Sequence, residues 1–172
     1  MALIKTVRGF TPQFGEHIYL AENATIVGDV IIGNNCSVWF QSVIRGDVNS
    51  IRIGDQVNIQ DGAIIHCTYE KSKTIIGDQV SIGHKAIIHG CEIKSRVLIG
   101  MGAIIMDHAI VEECVIVAAG AIVLENTHLE SGYIYGGIPA KKLKKIDQEN
   151  IQFYIERTAA NYQMYASWFQ EK

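Results

Sequence analysis

Residues 97–123 read VLIGMGAIIMDHAIVEECVIVAAGAIV, and every sixth position carries a large apolar side chain: Ile99, Ile105, Val111, Val117 and Val123. Four residues after each of the first four, the side chain is small or β-branched: Ala103, Ala109, Val115 and Ala121. A six-residue beat fits neither the 3.6-residue period of a helix nor the alternation of an ordinary strand. It fits a parallel β-helix built from hexapeptides. Each hexapeptide forms a short strand and a turn, and three of them close a triangular coil. One large and one small inward side chain per side fill the narrow prism. Coils stack roughly 4.8 Å apart through parallel ladder bonds, and each buries its interior only against its neighbours.

The beat extends upstream. One five-residue step leads back from Ile99 and Ile93 to Ile88, Ile82 and Ile76, and earlier anchors stand at Ile65, Ile59, Ile53, Ile44, Val38, Ile32, Ile26 and Leu20. Small or β-branched partners recur at Ala24, Val30, Cys36, Ser42, Val57, Ala63, Val80, Ala86 and Val97, while Glu92 in the short step breaks the rule. Seventeen anchors, three to a coil, predict nearly six coils. Two longer intervals, Ile44 to Ile53 and Ile65 to Ile76, each read as one rung plus an insert, of three and five residues. The second holds the polar run from Tyr69 to Thr74 and suits a protruding loop. After Val123 the pattern fades toward Gly136-Gly-Ile-Pro139, and from Ile151 the period becomes helical. Ile151, Tyr154, Ile155, Thr158, Tyr162, Tyr165 and Phe169 share one helix face. The division expected is an N-terminal segment and β-helix over residues 1–140, with a helical segment over 141–172 packed on it.

Composition agrees. Ile and Val contribute 28 and 13 residues against 6 Leu, a strand-forming bias, and 2 Pro among 172 residues leave the turns to flexible or positive-φ positions. One domain fits this length. A formal charge of −3 without long basic blocks argues against nucleic acid. No apolar run reaches transmembrane length, the first residues lack a secretory pattern, and Cys36, Cys67, Cys91 and Cys114 form no C-x-x-C pair. The cytoplasm is the expected compartment.

Three of the six histidines, His66, His84 and His89, lie in two short segments, NIQDGAIIHC and SIGHKAIIHG. By spacing alone they read equally as surface or structural residues. The register adds more: His66 and His89 each follow an anchor and stand three rungs apart, so they stack on neighbouring coils. Imidazoles about 5 Å apart could share an ion. His84 falls near another side or corner of the prism, and a neighbouring chain of a trimer would bring it to the pair. Three neutral histidines plus water match an open zinc site. His17, His108 and His128 read as surface or structural.

The motifs IRGDV (residues 44–48), NIQDG (58–62), His66, IGHKAIIHGC (82–91), LIGMGA and GGIPAK together resemble the γ-class carbonic anhydrase branch of the hexapeptide-repeat acyltransferase superfamily over nearly the whole chain. The resemblance implies a left-handed β-helix and a homotrimer with metal sites between chains. It implies His66 and His89 from one chain and His84 from its neighbour as ligands of zinc, with iron or cobalt as alternatives. It further implies reversible hydration of carbon dioxide to bicarbonate, without nucleic-acid or membrane partners. Arg45, Asp47, Gln60 and Asp61 match the family's polar network: Gln60 orienting water or bicarbonate, Arg45 pairing with Asp61 across the interface, Asp47 behind them. The family's prototype resembles an enzyme with glutamate-assisted proton transfer, whereas here Val48 follows Asp47 and the excursion is short, which leaves Glu70 a weak shuttle candidate. Tyr162, with Asn161 and Tyr165, falls where the C-terminal helix could approach a site. Alternatives are a metal-dependent thioesterase, a coenzyme A-dependent acyltransferase and an inactive metal-stabilised trimeric scaffold.

Overall fold

The six-residue beat folds into three flat faces of a left-handed parallel β-helix, seen in a computed structural model that describes residues 1–170. One face stacks Tyr19–Leu20, Ser37–Val38, Asn58–Ile59, Ser81–Ile82, Leu98–Ile99, Ile116–Val117 and Tyr133–Gly136, all parallel. A second runs from Leu3–Lys5 through Ile64–His66, Ile87–His89 and Ile104–Ile105 to Ile122–Val123. The third runs from Gln13–Phe14 through Thr74–Ile76, Glu92–Ile93 and Ile110–Val111 to His128–Leu129. Two long strands, Thr25–Ile32 and Val43–Ile53, bend round the corner between the second and third faces and belong to both.

The solenoid has about seven turns, not nearly six. The beat continues through Leu129 and Tyr135, both buried, although polar neighbours hide it in the sequence, and the N-terminal strands lengthen the other end. Every anchor from Ile26 to Val123 is buried, as is every small partner, so the prism is filled as the pattern requires.

The turns use the left-handed conformation without glycine at twelve positions. Asn35, Gln56, Gln79, Arg96 and Cys114 each precede a small inward residue at equivalent corners, with φ of 54–59°. Their cost is offset by the ladder: the N–H groups of Gln56, Gln79 and Arg96 each donate at 2.8 Å to a carbonyl one coil away.

The first insert extends a strand. Register passes from Gly28↔Gly46 to Val30↔Ile51, five residues on one strand against two on the other. Gly46 makes that corner possible, since a Cβ there would lie 2.6 Å from the Asp29 carbonyl oxygen. The second insert, after His66, projects as the expected loop and returns at Thr74–Ile76.

Lys141–Lys145 is a strand, antiparallel to Tyr133–Gly136, so the helical region begins later than residue 141, at Gln148. Its lysines occupy a sheet edge and discourage further strand pairing. A π-helical stretch, Ile151–Glu156, runs directly into the α-helix Arg157–Trp168. Ile151, Ile155, Ala159 and Ala166 are buried, Tyr162 and Tyr165 pack partly on the core on the expected face, and Tyr154, within the wide turn, is exposed. No helix among the described residues is long and apolar enough to cross a membrane.

Ile99 is fully buried in the middle of the stack. Ile99→Ala is expected to lower unfolding free energy by about 2–5 kcal/mol in urea titrations, because rigid coils above and below prevent collapse onto the cavity.

Candidate metal centre

The ladder pairs His66 with His89 directly, one coil apart. Their ring centroids are 5.2 Å apart, and His66 Nδ1 faces His89 Nε2 at 3.3 Å. Each outer nitrogen meets a carboxylate. His66 Nε2 lies 3.1 Å from Asp47 Oδ1, and His89 Nδ1 lies 3.2 Å from both oxygens of Asp107.

These contacts fix where the protons sit. Burial would raise the Asp47 carboxyl, but hydrogen bonds from Arg45, at 2.6 Å, and from His66 outweigh it and hold the group below the ordinary aspartate range. Burial likewise opposes ionisation of Asp107, and donors from Ser72, Thr68 and His89 prevail. An ionised carboxylate only accepts hydrogen bonds, so a neutral His66 donates to Asp47 from Nε2 and a neutral His89 to Asp107 from Nδ1. Burial, assisted by the Arg45 charge, outweighs Asp47 and lowers the His66 pKa, which favours neutral imidazole. In the neutral forms, His66 Nδ1 and His89 Nε2 face one another with bare lone pairs. Two such acceptors have nothing to offer each other, and a cation between them satisfies both.

His84 is built alike and stands apart. Its Nδ1 lies 2.9 Å from Asp61, and its Nε2 lies 3.3 Å from the Tyr162 hydroxyl. Burial, then Asp61 and Tyr165, push that phenol up to about 12, so it stays a donor. The tautomer is therefore again set by a carboxylate, with Nε2 the acceptor, here taken up by the Tyr162 hydroxyl. Gln60 is buried and braces this corner: its Oε1 accepts from the His84 backbone N–H at 3.2 Å, and its Nε2 donates to Asn58 Oδ1 at 3.0 Å. Among the described residues, no three metal-ligating side chains converge within one chain.

The motif residues thus fall into two groups: Arg45, Asp47, His66 and His89 in one, and Gln60, Asp61, His84 and Tyr162 in the other. Within the chain Arg45 pairs with Asp47, and Asp61 pairs with His84. Tyr165 packs edge-on against Tyr162, and Glu70 is exposed on the loop. His128 pairs with Glu112 on the surface. Reading motifs missed Asp107, Thr68 and Ser72. The register contained the signal for Asp107: it stands two places after anchor Ile105, as Gly90 stands after Ile88 and Cys67 after Ile65.

No protein-family model matches the sequence. The chain is 42% identical over 156 residues to γ carbonic anhydrase 1, mitochondrial, of Arabidopsis thaliana, covering 88% of this chain and 56% of the plant protein. It thus spans little more than half the length of the curated plant relatives it matches. Among solved structures, a hexapeptide transferase family protein from Anaplasma phagocytophilum superposes with a TM-score of 0.91 at 37% identity, covering 96% of each chain. A candidate acetyltransferase of Bacillus cereus superposes with a TM-score of 0.94 at 34% identity, over 98% of this chain and 96% of that one.

Gly90 (φ +58°) and Gly102 (φ +67°) separate backbone strain from crowding at the centre. A Cβ on Gly102 meets nothing, whereas one on Gly90 collides with Asp107 Oδ1 and the Ser72 side chain. Gly102→Ala should cost about 1–2 kcal/mol in denaturant titrations, and Gly90→Ala distinctly more.

Proposed function

Since the chain belongs to the γ-class carbonic anhydrase-like branch of the hexapeptide-repeat superfamily, we propose that it hydrates carbon dioxide reversibly at a zinc ion shared between neighbouring copies. The observation that carries this reading is the pair of imidazole nitrogens 3.3 Å apart, each on a ring whose other nitrogen meets a carboxylate. Two ligands on a tetrahedral zinc, each at about 2.0–2.1 Å, are separated by about 3.3–3.4 Å. The donors also suit the metal, being neutral imidazoles oriented by carboxylates, the usual setting of zinc-ligating histidine. Iron(II) and cobalt(II) accept the same set.

His66 and His89 supply two ligands. The third is Nε2 of His84 of the partner subunit, on a ring whose Nδ1 meets Asp61, and a closed trimer repeats this heterologous contact three times. Zinc so held supplies Lewis-acid activation of a water, whose pKa falls toward about 7. The protein's own part is to hold protons off the ligands. Arg45 keeps Asp47 ionised, Asp47 keeps the His66 proton on Nε2, and Asp61 keeps the His84 proton on Nδ1. Gln60 fixes the backbone that carries His84. Tyr162, protonated throughout the neutral range, holds a hydroxyl at the free nitrogen of His84 and can turn it toward an oxygen of carbon dioxide or bicarbonate. Arg45 is half-exposed and has further N–H groups for the partner subunit's Asp61.

A metal-dependent thioesterase would use the same centre, whereas a coenzyme A acyltransferase of this fold needs a histidine base free of metal. Purified protein is therefore expected to run as a trimer with one zinc per chain by mass and metal analysis. It should hydrate carbon dioxide faster than it hydrolyses acyl thioesters. His84→Ala should keep the trimer and lose zinc, with hydration falling more than about 100-fold, beyond the effect of losing an outer hydrogen bond. A monomer without metal, or a zinc-loaded trimer inactive on carbon dioxide, would overturn the reading.

A further inference from the structure

Asp107 lies in no motif that led to the centre, yet its surroundings are built in detail. Its two oxygens share the His89 Nδ1–H at 3.2 Å each, and each also accepts one hydroxyl: Ser72 Oγ at 2.5 Å and Thr68 Oγ1 at 3.1 Å. Both hydroxyls come from the five-residue insert that follows His66. Ser72 is buried, and its Oγ also accepts the Thr68 backbone N–H at 2.9 Å, which closes the loop on itself. The insert is anchored at its return as well, where buried Thr74 donates to the His66 carbonyl at 2.6 Å and accepts from the Gly90 N–H at 3.0 Å.

Gly90 completes the arrangement. It stands directly beneath Asp107 in the register, at the five-residue step. Any Cβ there would occupy the space that Asp107 Oδ1 and Ser72 use. Two of the three departures from the hexapeptide rule, the insert of five and the deletion of one, therefore meet at a single carboxylate. A loop that only bridged two rungs would not require a hydroxyl, one of them buried, on each oxygen of an aspartate two coils away.

We propose that Asp107 is the positioning residue that fixes His89 as its Nδ1–H tautomer, and that the loop through Thr68 and Ser72 serves to aim this carboxylate. The tautomer claim stands on geometry alone, while its consequence for zinc rests on the function proposed above. Without Asp107, His89 is free to carry its proton on Nε2, where His66 Nδ1 is the nearest acceptor, and the nitrogen needed for a metal is then blocked.

The decisive readout is the pair of His89 ring nitrogen shifts in metal-free protein, measured by long-range ¹H–¹⁵N correlation. Wild type should show Nδ1 protonated and Nε2 bare, and Asp107→Ala should shift His89 toward the Nε2–H form. Zinc affinity, measured by competition with a chromogenic chelator, should fall about 10–100-fold in the same variant. Ser72→Ala and Thr68→Val, which leave the carboxylate in place, should give smaller changes of the same sign. They also serve as the test if Asp107→Ala does not fold, as judged by its melting curve. A wild-type His89 protonated on Nε2, or ring shifts unchanged in folded Asp107→Ala, would overturn the proposal. If the wild-type tautomer is as stated but no zinc binds, the role of Asp107 stands and the functional reading falls.

Discussion

Parallel ladder bonding between coils is the constraint on which the rest of this molecule depends. Each coil is too thin to enclose an interior, so its large and small inward side chains are buried only because the coil above repeats them in the same register. A slip of one residue would turn Ile88 outward and expose a polar neighbour to the prism. That intolerance makes the register a positioning device. Residues a coil apart are held side by side by backbone bonds, whatever their side chains do, and so His66 and His89 can face each other with bare lone pairs. The scaffold imposes that arrangement.

The site lies where the repeat is broken. An insert of three residues within Val43–Ile53 turns the corner beside Gly46 and brings Asp47 to the outer nitrogen of His66. An insert of five supplies Thr68 and Ser72, and the deletion at Gly90 clears room for Asp107 to reach His89. A perfect hexapeptide repeat would have stacked the histidines with no carboxylates to set their protons. The breaks cost ladder bonds and strained turns locally, and neighbouring unbroken coils carry that cost.

What could be read beforehand follows from which interactions are periodic. The anchors, their small partners, the loop after His66 and the stacking of His66 on His89 all derive from counting by six, and all are present. The end coils were shortened in that reading because Leu129 and Tyr135 stand among His128, Glu130 and Ser131, where composition looks like an exit although the inward positions remain apolar. The expected helix face holds at Ile151, Ile155, Tyr162 and Tyr165, whereas Tyr154, inside the π turn that no residue type in IQFYIE announces, stands exposed. Asp107 was hidden by attention to motifs, since only its place above Gly90 distinguishes it from other surface aspartates.

The three histidines share one solution to a common difficulty. An imidazole can place its proton on either nitrogen, and a site assembled from separate elements needs all of them to choose compatibly before they meet. Here each is given its own carboxylate: Asp47 for His66, Asp61 for His84 and Asp107 for His89. The choice is therefore made inside each chain, independent of any neighbour. This matters most for His84, whose Nε2 is capped by the Tyr162 hydroxyl and points to no other histidine of its own chain. A rigid prism cannot bend His84 round to the other two, which is why the proposed function takes its third ligand from a second copy. In that proposal each ring reaches the shared site with one nitrogen already engaged by a carboxylate and the other turned outward. The energetic penalty of preparing the ligands falls on folding rather than on binding.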